Sequence, residues 1–180
     1  NLLNGVLFTG ATDSAVRGNT IAHNRQHGVH VAVGTRNRIE ANSIRDNGGM
    51  GINLEWDGSV TANDSTDSDG GANSRQNFPV LASAALSSTG LALVAGTLTG
   101  RAGEAFRVEL FAAAGADVSG YGEGGTFLGV INVTTNGAGL ATFTTTVTAP
   151  PAGQTYVTAT ATSAAGDTSE FSRSIRISLT

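Results

Sequence analysis

Residues 5–54 repeat with a period of 23 residues, and this repeat limits the folds open to the chain. Gly5, Gly28 and Gly51 each begin a copy, in the order "GVLFTGATDSAVRGNTIAHNRQH", "GVHVAVGTRNRIEANSIRDNGGM" and "GINL". The two full copies share identical residues at small, polar and apolar positions. Agreement at all three kinds of position indicates a structural repeat.

A unit of this length, built from "GV-x-V" and "N-[ST]-I" segments, is too short for paired helices and predicts one coil of a β-solenoid. Interior columns would then stack Val6 on Val29 on Ile52, and Phe8 on Val31 on Leu54. Strand alternation would point Leu7, His30 and Asn53 outward. Equivalent asparagines would form amide ladders at the corners, in the pairs Asn19/Asn42 and Asn24/Asn47.

Charged residues support the same register. At the 23-residue offset Asp13 meets Arg36, Arg17 meets Glu40, and His23 meets Asp46. In-register neighbours of opposite charge are favoured, although exposed pairs contribute little to stability.

The segments "GNTIAHNRQHGVHV" and "ANSIRDNGGMGINL" resemble coils of right-handed parallel β-helix proteins of the pectate-lyase-like superfamily. The pattern N-[ST]-I-x-x-N-x-x-x-G-[IV] carries the resemblance, which covers roughly the first 55 residues. The resemblance implies a fold and leaves function open, because this fold hosts lyases, hydrolases, epimerases, tailspikes and adhesins.

About two coils of 23 residues are few for a solenoid, since repeat folds need about three units with caps. We therefore expect upstream β-helix coils of a longer parent chain as a partner. We also expect Trp56, in "LEWDG", to lie across the open core as a cap; an ordinary, partly buried aromatic is the alternative.

The second half shows strand-length runs separated by turn signals. Seven strands are predicted, at 79–86, 91–98, 105–113, 126–134, 140–148, 156–162 and 170–178. Seven alternating strands in about 100 residues favour an immunoglobulin-like β-sandwich, with a jelly roll as the alternative. The predicted fold class is therefore all-β: terminal β-helix coils (1–56), an acidic linker (57–76) and a sandwich (77–180).

A second resemblance concerns residues 57–180. "NFPVL", "FRVELFA", "SGYGEGGTFLG" and "VTATATSAAGDTSEFS" resemble the C-terminal module of large exported bacterial proteins that also carry β-helix repeats. This resemblance implies a secreted or cell-surface location and says little about activity.

The linker "DGSVTANDSTDSDGG" holds four aspartates, Asp57, Asp64, Asp67 and Asp69. Calcium takes six to eight oxygen ligands, and "SxDxDG" resembles the start of an EF-hand-type loop. Gln76 stands where that loop would carry a bidentate glutamate. A calcium site that stiffens the joint and a solvated connector are the two interpretations.

The glycine-rich loop 119–129 offers Tyr121 and Glu123, which with Trp56 form a candidate carbohydrate-binding set; a structural loop is the alternative. His23, His27 and His30 lack a third zinc ligand on an adjacent coil and are expected on the surface. The outward row Leu7, His30 and Asn53 carries no carboxylate set. Catalysis within these 180 residues is therefore not expected.

Composition excludes further classes. The net charge of −4, with all ten basic residues arginine, offers no footprint for nucleic acid. No run of residues approaches a membrane span. We predict a non-catalytic structural or adhesive module with polysaccharide or a host or cell surface as candidate partners. The alternative is a carbohydrate-binding or accessory module of a polysaccharide-degrading enzyme.

Overall fold

The computed structural model describes residues 1–88 and 90–179 and is built of β-strands. Residues 1–54 wind through two coils and begin a third, forming three parallel sheets. The first sheet contains β1 (Val6–Thr9), β4 (Val29–Val33) and β7 (Ile52–Leu54). The second pairs β2 (Ala15–Arg17) with β5 (Arg38–Glu40), and the third pairs β3 (Thr20–Ala22) with β6 (Ser43–Arg45).

The strand register confirms the predicted stacking. Val6 pairs with Val29 and Val29 with Ile52, while Phe8 pairs with Val31 and Val31 with Leu54. The side chains in the second and third positions of both columns are at most 1% exposed. The stacking of the coils therefore agrees with the prediction, because each interior side chain packs on its equivalent one coil away.

The corner asparagines form the predicted ladders. Asn24 donates from Nδ2 to Asn47 Oδ1 at 2.8 Å, and Asn19 donates from Nδ2 to Asn42 Oδ1 at 3.3 Å. Each amide group therefore links one coil to the next at a place where the strands end.

Two of the three predicted charge pairs are present. Asp13 binds Arg36 at 2.6 Å and Arg17 binds Glu40 at 3.0 Å. The prediction for His23 is wrong, since Asp46 pairs with its neighbour Arg45 at 2.6 Å. An adjacent guanidinium reaches the carboxylate more readily than an imidazole on another coil does.

The outward row is less exposed than predicted. His30 is 5% exposed and Asn53 is fully buried, so the expectation of a surface position is wrong for His30. The imidazole packs edge-on against Trp56 and approaches the Glu55 carbonyl at 2.5 Å. Glu55 and Trp56, which follow the last coil, cover His30, whereas Leu7 in the same row is 47% exposed.

Trp56 does not cap the solenoid core. Its side chain is 65% exposed and lies beside His30, outside the coil. The predicted cap is therefore wrong, because the chain turns outward after Leu54, at Glu55, which has a φ of 69°.

The second half forms two four-stranded sheets. One has the order β11-β10-β13-β14 and the other β12-β9-β8-β15. The strands are β8 (Val80–Leu86), β9 (Leu91–Thr99), β10 (Ala105–Ala113), β11 (Thr126–Thr134), β12 (Leu140–Thr148), β13 (Tyr156–Ser163), β14 (Ile175–Arg176) and β15 (Ser178–Leu179). Alternate side chains from both sheets share one hydrophobic core, which includes Val94, Val108 and Phe143.

Six predicted strands coincide with β8 to β13 within one or two residues. The seventh, at 170–178, is present only as the short strands β14 and β15, which belong to different sheets. Residues 166–172 are instead a buried irregular segment. Glu170 and Phe171 in this segment contact the solenoid, and these contacts take the place of a regular strand.

Residues 55–79 form a connector between the two halves, and this connector contains the 3-10 turn Ala72–Arg75. Glu55 and Arg75 hold it with two hydrogen bonds of 3.0 Å between carboxylate and guanidinium. Among the described residues, no helix has the length and apolar character needed to cross a bilayer.

Candidate functional site

The last solenoid coil ends against the sheet that contains β10 and β13. Phe111 from β10 and Phe171 from the 166–172 segment lie edge to face, with ring centroids 5.5 Å apart. Both are 2% exposed and belong to the same apolar cluster as Ile44, Ile52 and Leu54. Two aromatic rings from the second half therefore close the hydrophobic interior of the solenoid.

Space at this contact is tight. A Cβ added at Gly51 would lie 2.8 Å from the Phe171 ring, and one added at Gly124 would lie 2.7 Å from both rings. These glycines allow the two halves to approach closely.

Hydrogen bonds at this contact follow the pattern of the coils. Asp13 N–H donates to the Thr35 carbonyl one coil on, whereas the equivalent Arg36 N–H donates to the Asp167 carboxylate. Asn24 N–H donates to Asn47 Oδ1, whereas Asn47 N–H donates to the Glu123 carboxylate at 3.1 Å. The second half thus supplies acceptors at positions where a third full coil would supply them.

The same replacement occurs along the rest of the coil edge. Gly18 N–H donates to the Glu40 carbonyl, and its equivalent Ala41 donates to Glu109 Oε2 at 2.8 Å. Asn37 N–H donates to Asn73 Oδ1 of the connector at 3.1 Å. Further acceptors for this edge are Thr168 Oγ1 for Ile39, the Gly124 carbonyl for Ile44, and Glu170 Oε1 for Leu54. We call this set of contacts the capping seam. An unpaired strand edge is costly when buried and prone to association when exposed. The capping seam avoids both, because it covers the edge and supplies acceptors to its N–H groups.

Glu170 is the most buried carboxylate with a strongly shifted pKa. It is 1% exposed and accepts the backbone N–H groups of Leu54 and Thr61, each at 2.8 Å. Burial raises the pKa of Glu170 from 4.5 to about 7, against the opposing effect of the two N–H donors. Near neutral pH this group therefore carries a proton for part of the time.

Glu123, a predicted ligand residue, is occupied in the seam. Its carboxylate accepts both the backbone N–H and the side-chain amide of Asn47, the latter at 2.7 Å. Burial raises the pKa of Glu123, and the Asn47 donors oppose this shift. Tyr121 packs against Phe78 with ring centroids 5.4 Å apart, and Trp56 packs against His30. Each of the three candidate carbohydrate-binding residues thus has a different partner.

Three of the four linker aspartates come together. Asp64, Asp67 and Asp69 each place a carboxylate oxygen within 4.8 Å of the others, and Asp57 is outside this group. Asp67 is 6% exposed and accepts Asn77 N–H at 2.9 Å and the Gln76 side-chain amide at 2.5 Å. Gln76, which stands at the expected glutamate position, therefore donates to the cluster.

Burial is the main cause that raises the pKa of Asp67 to about 6; the carboxylates of Asp64 and Asp69 act in the same direction, and the Asn77 and Gln76 donors oppose it. Burial likewise raises the pKa of Asp69, which lies 3.9 Å from the Arg75 guanidinium. The ionised carboxylates of this group repel one another, and a bound divalent cation would offset that repulsion.

Sequence reasoning missed the seam residues Asn73, Glu109, Asp167 and Glu170. Glu109 lies in a strand with alternating apolar residues, and this alternation predicts its face without indicating what covers it. An available signal was the run "GDTSEF", which is rich in hydrogen-bond acceptors and follows a strand.

The family comparison bears on the first half. A family model described as a right-handed beta helix region matches residues 1–79. Within this match, residues 1–54 form the parallel coils described above. The match extends past the last coil, through the three clustered aspartates, to Pro79. None of the curated proteins compared with the chain matches it.

Proposed function

We propose that this chain is a non-catalytic structural module in which a β-sandwich seals the last coil of a β-helix. The observation that carries the proposal is the capping seam, where side chains of the second half accept hydrogen bonds from the coil edge. A cap of this kind keeps a repeat fold from fraying and from pairing with other strand edges.

The finer fold assignments belong to the same proposal. The strand orders β11-β10-β13-β14 and β12-β9-β8-β15 around one core support an immunoglobulin-like sandwich. The asparagine ladders support a pectate-lyase-like β-helix. We further propose a secreted or cell-surface location with an adhesive role for the whole parent protein, which rests on the sequence resemblance to exported bacterial proteins.

Substitution of Glu123 tests the capping role. Glu123→Ala removes the acceptor for two Asn47 donors and is expected to lower the free energy of unfolding by about 1–3 kcal/mol. Chemical denaturation measures this loss. Glu104→Ala, a carboxylate outside the seam, is the matched control and should cost about 0.5 kcal/mol or less. Equal small losses for both variants would contradict the capping role and restore Glu123 as a candidate ligand residue.

We also propose that Asp64, Asp67 and Asp69 bind calcium and stiffen the connector. The proposal is supported by the convergence of three carboxylates and by the raised pKa of Asp67 and Asp69. Carboxylate oxygens are the ligands that calcium prefers, and backbone carbonyls and water complete such sites.

Calcium is expected to raise the melting temperature of the protein relative to the same protein in EDTA. At a calcium concentration 100 times Kd the gain would be about 2.7 kcal/mol. The gain should increase as pH rises through 6, because Asp67 must lose its proton to bind. Asp69→Asn should remove the gain and Asp57→Asn should keep it. A melting temperature that does not respond to millimolar calcium at pH 8 would leave the solvated connector as the correct interpretation.

A further inference from the structure

The two outer faces of the sandwich differ in what covers them. The outer face of the β10–β13 sheet lies against the β-helix, where Thr158, Thr160 and Thr162 are at most 1% exposed. The outer face of the other sheet is exposed, with Val80, Leu91 and Leu93 between 43% and 55% exposed. We call this second surface the threonine–leucine face.

The threonine–leucine face is built from regular alternation on three long strands. Thr142, Thr144 and Thr146 on β12 point away from the core and stand beside Thr97, Ala95 and Leu93 on β9. Val80 on β8 stands on the other side of Thr97. The face is therefore a continuous sheet of β-branched and aliphatic side chains.

Charge is absent from the strands that form this face. The sequence has no charged residue between Gln76 and Gly100, nor between Gly124 and Gly166. The three strands β8, β9 and β12 lie within these two stretches. The carboxylates and guanidiniums of the chain, with a net charge of −4, are distributed elsewhere.

We propose that the threonine–leucine face packs against the same face of a second copy of this chain. Two copies of an acidic chain repel each other wherever charged surfaces meet, and an uncharged face avoids this cost. An isologous contact also places aliphatic and threonine side chains against side chains of the same kind, as in the core of a β-sandwich. This interaction goes beyond the capping role and does not depend on it.

The size of the face determines how strong the association can be. Three strands of nine residues or fewer span roughly 30 Å by 15 Å at ordinary strand dimensions. Two such faces would bury about 900 Å² in total, below the roughly 1,200 Å² of stable complexes. The dimer is therefore weak and reversible, and it forms at high protein concentration.

Sedimentation equilibrium over a concentration range from micromolar to near-millimolar tests the proposal. The wild-type chain should show a monomer–dimer equilibrium that high salt does not weaken, since no ion pair holds the contact. Leu93→Lys should weaken dimerisation at least about tenfold, because it places like charges in an uncharged contact.

Val130→Lys is the matched control, since Val130 is 39% exposed on the other sheet. It should dimerise like the wild type. Thr144→Lys is a second variant on the same face, so the test does not depend on the folding of Leu93→Lys. A wild-type chain that stays monomeric at every concentration would overturn the proposal. Equal weakening by Val130→Lys, or dimerisation that persists in both face variants, would overturn it as well.

Discussion

Phe171→Ala is expected to destabilise the protein by about 3–5 kcal/mol, the usual cost of removing a buried phenylalanine ring. The ring closes the end of the β-helix interior and packs against Phe111 at 5.5 Å. Its loss leaves a cavity beside Ile44 and Ile52, at the end of the coil interior. Since small domains are stable by only 5–15 kcal/mol, this loss is a large part of the total.

The matched control for this change is Phe143→Ala. Phe143 is 6% exposed in the core between the two sheets and does not belong to the apolar cluster that contains Phe111 and Phe171. A similar loss of global stability is expected from it, while the end of the β-helix stays closed in the native state. A cost below about 1 kcal/mol for Phe171→Ala would show that the ring does not support the coil.

The stability of the calcium-free protein is expected to fall as pH rises through 7. Glu170 has a pKa raised from 4.5 to about 7, so the folded state holds this proton more tightly than the unfolded state does. Its contribution is fully present below pH 4.5 and is lost as pH rises through the folded pKa. At one pKa unit per 1.36 kcal/mol, the full effect is about 3 kcal/mol.

Urea denaturation in EDTA at several pH values measures this effect. Between pH 6 and pH 8, loss of the Glu170 proton should lower the free energy of unfolding by about 1.4 kcal/mol. Burial and the nearby His30 lower the pKa of His27. The contribution of His27 to stability therefore rises with pH, opposite to that of Glu170. The difference between wild type and Glu170→Gln therefore isolates Glu170, because glutamine does not titrate. A Glu170→Gln variant with the same slope as the wild type would contradict the assignment.

The repeat made the first half predictable to the level of single contacts. The interior columns, the corner amide ladders and the pairs Asp13–Arg36 and Arg17–Glu40 all follow from one offset of 23 residues. Prediction from the repeat is accurate here because equivalent residues in successive coils have nearly the same neighbours. Strand-length runs between turn signals likewise predicted strands β8 to β13.

Contacts between the two halves could not be predicted in the same way. Alternation places Glu109 on one face of β10, but the partner of that face, Ala41 on the β-helix, lies 68 residues away in sequence. Trp56 was wrongly expected to cap the core because it follows the last interior residue directly. The actual cap, Phe171, lies far along the chain and depends on tertiary packing.

The linker aspartates show an intermediate case. Their density left a calcium site and a solvated connector as two interpretations, and in the structure Asp64, Asp67 and Asp69 converge. The separation of Asp57 from them and the role of Gln76 as a donor to Asp67 depend on the path of the connector. Calcium binding itself stays a prediction.

Amide hydrogen exchange on the coil edge tests the capping account most directly. In the part of the chain that the structure describes, the N–H groups of Arg36, Ala41, Asn47 and Leu54 donate to carboxylates of the second half. Capping predicts that all four are protected in the wild type, and that protection at Leu54 falls in Phe171→Ala more than in Phe143→Ala at equal global stability. Fast exchange of these amides in the wild type, alongside slow exchange within β4, would contradict the account.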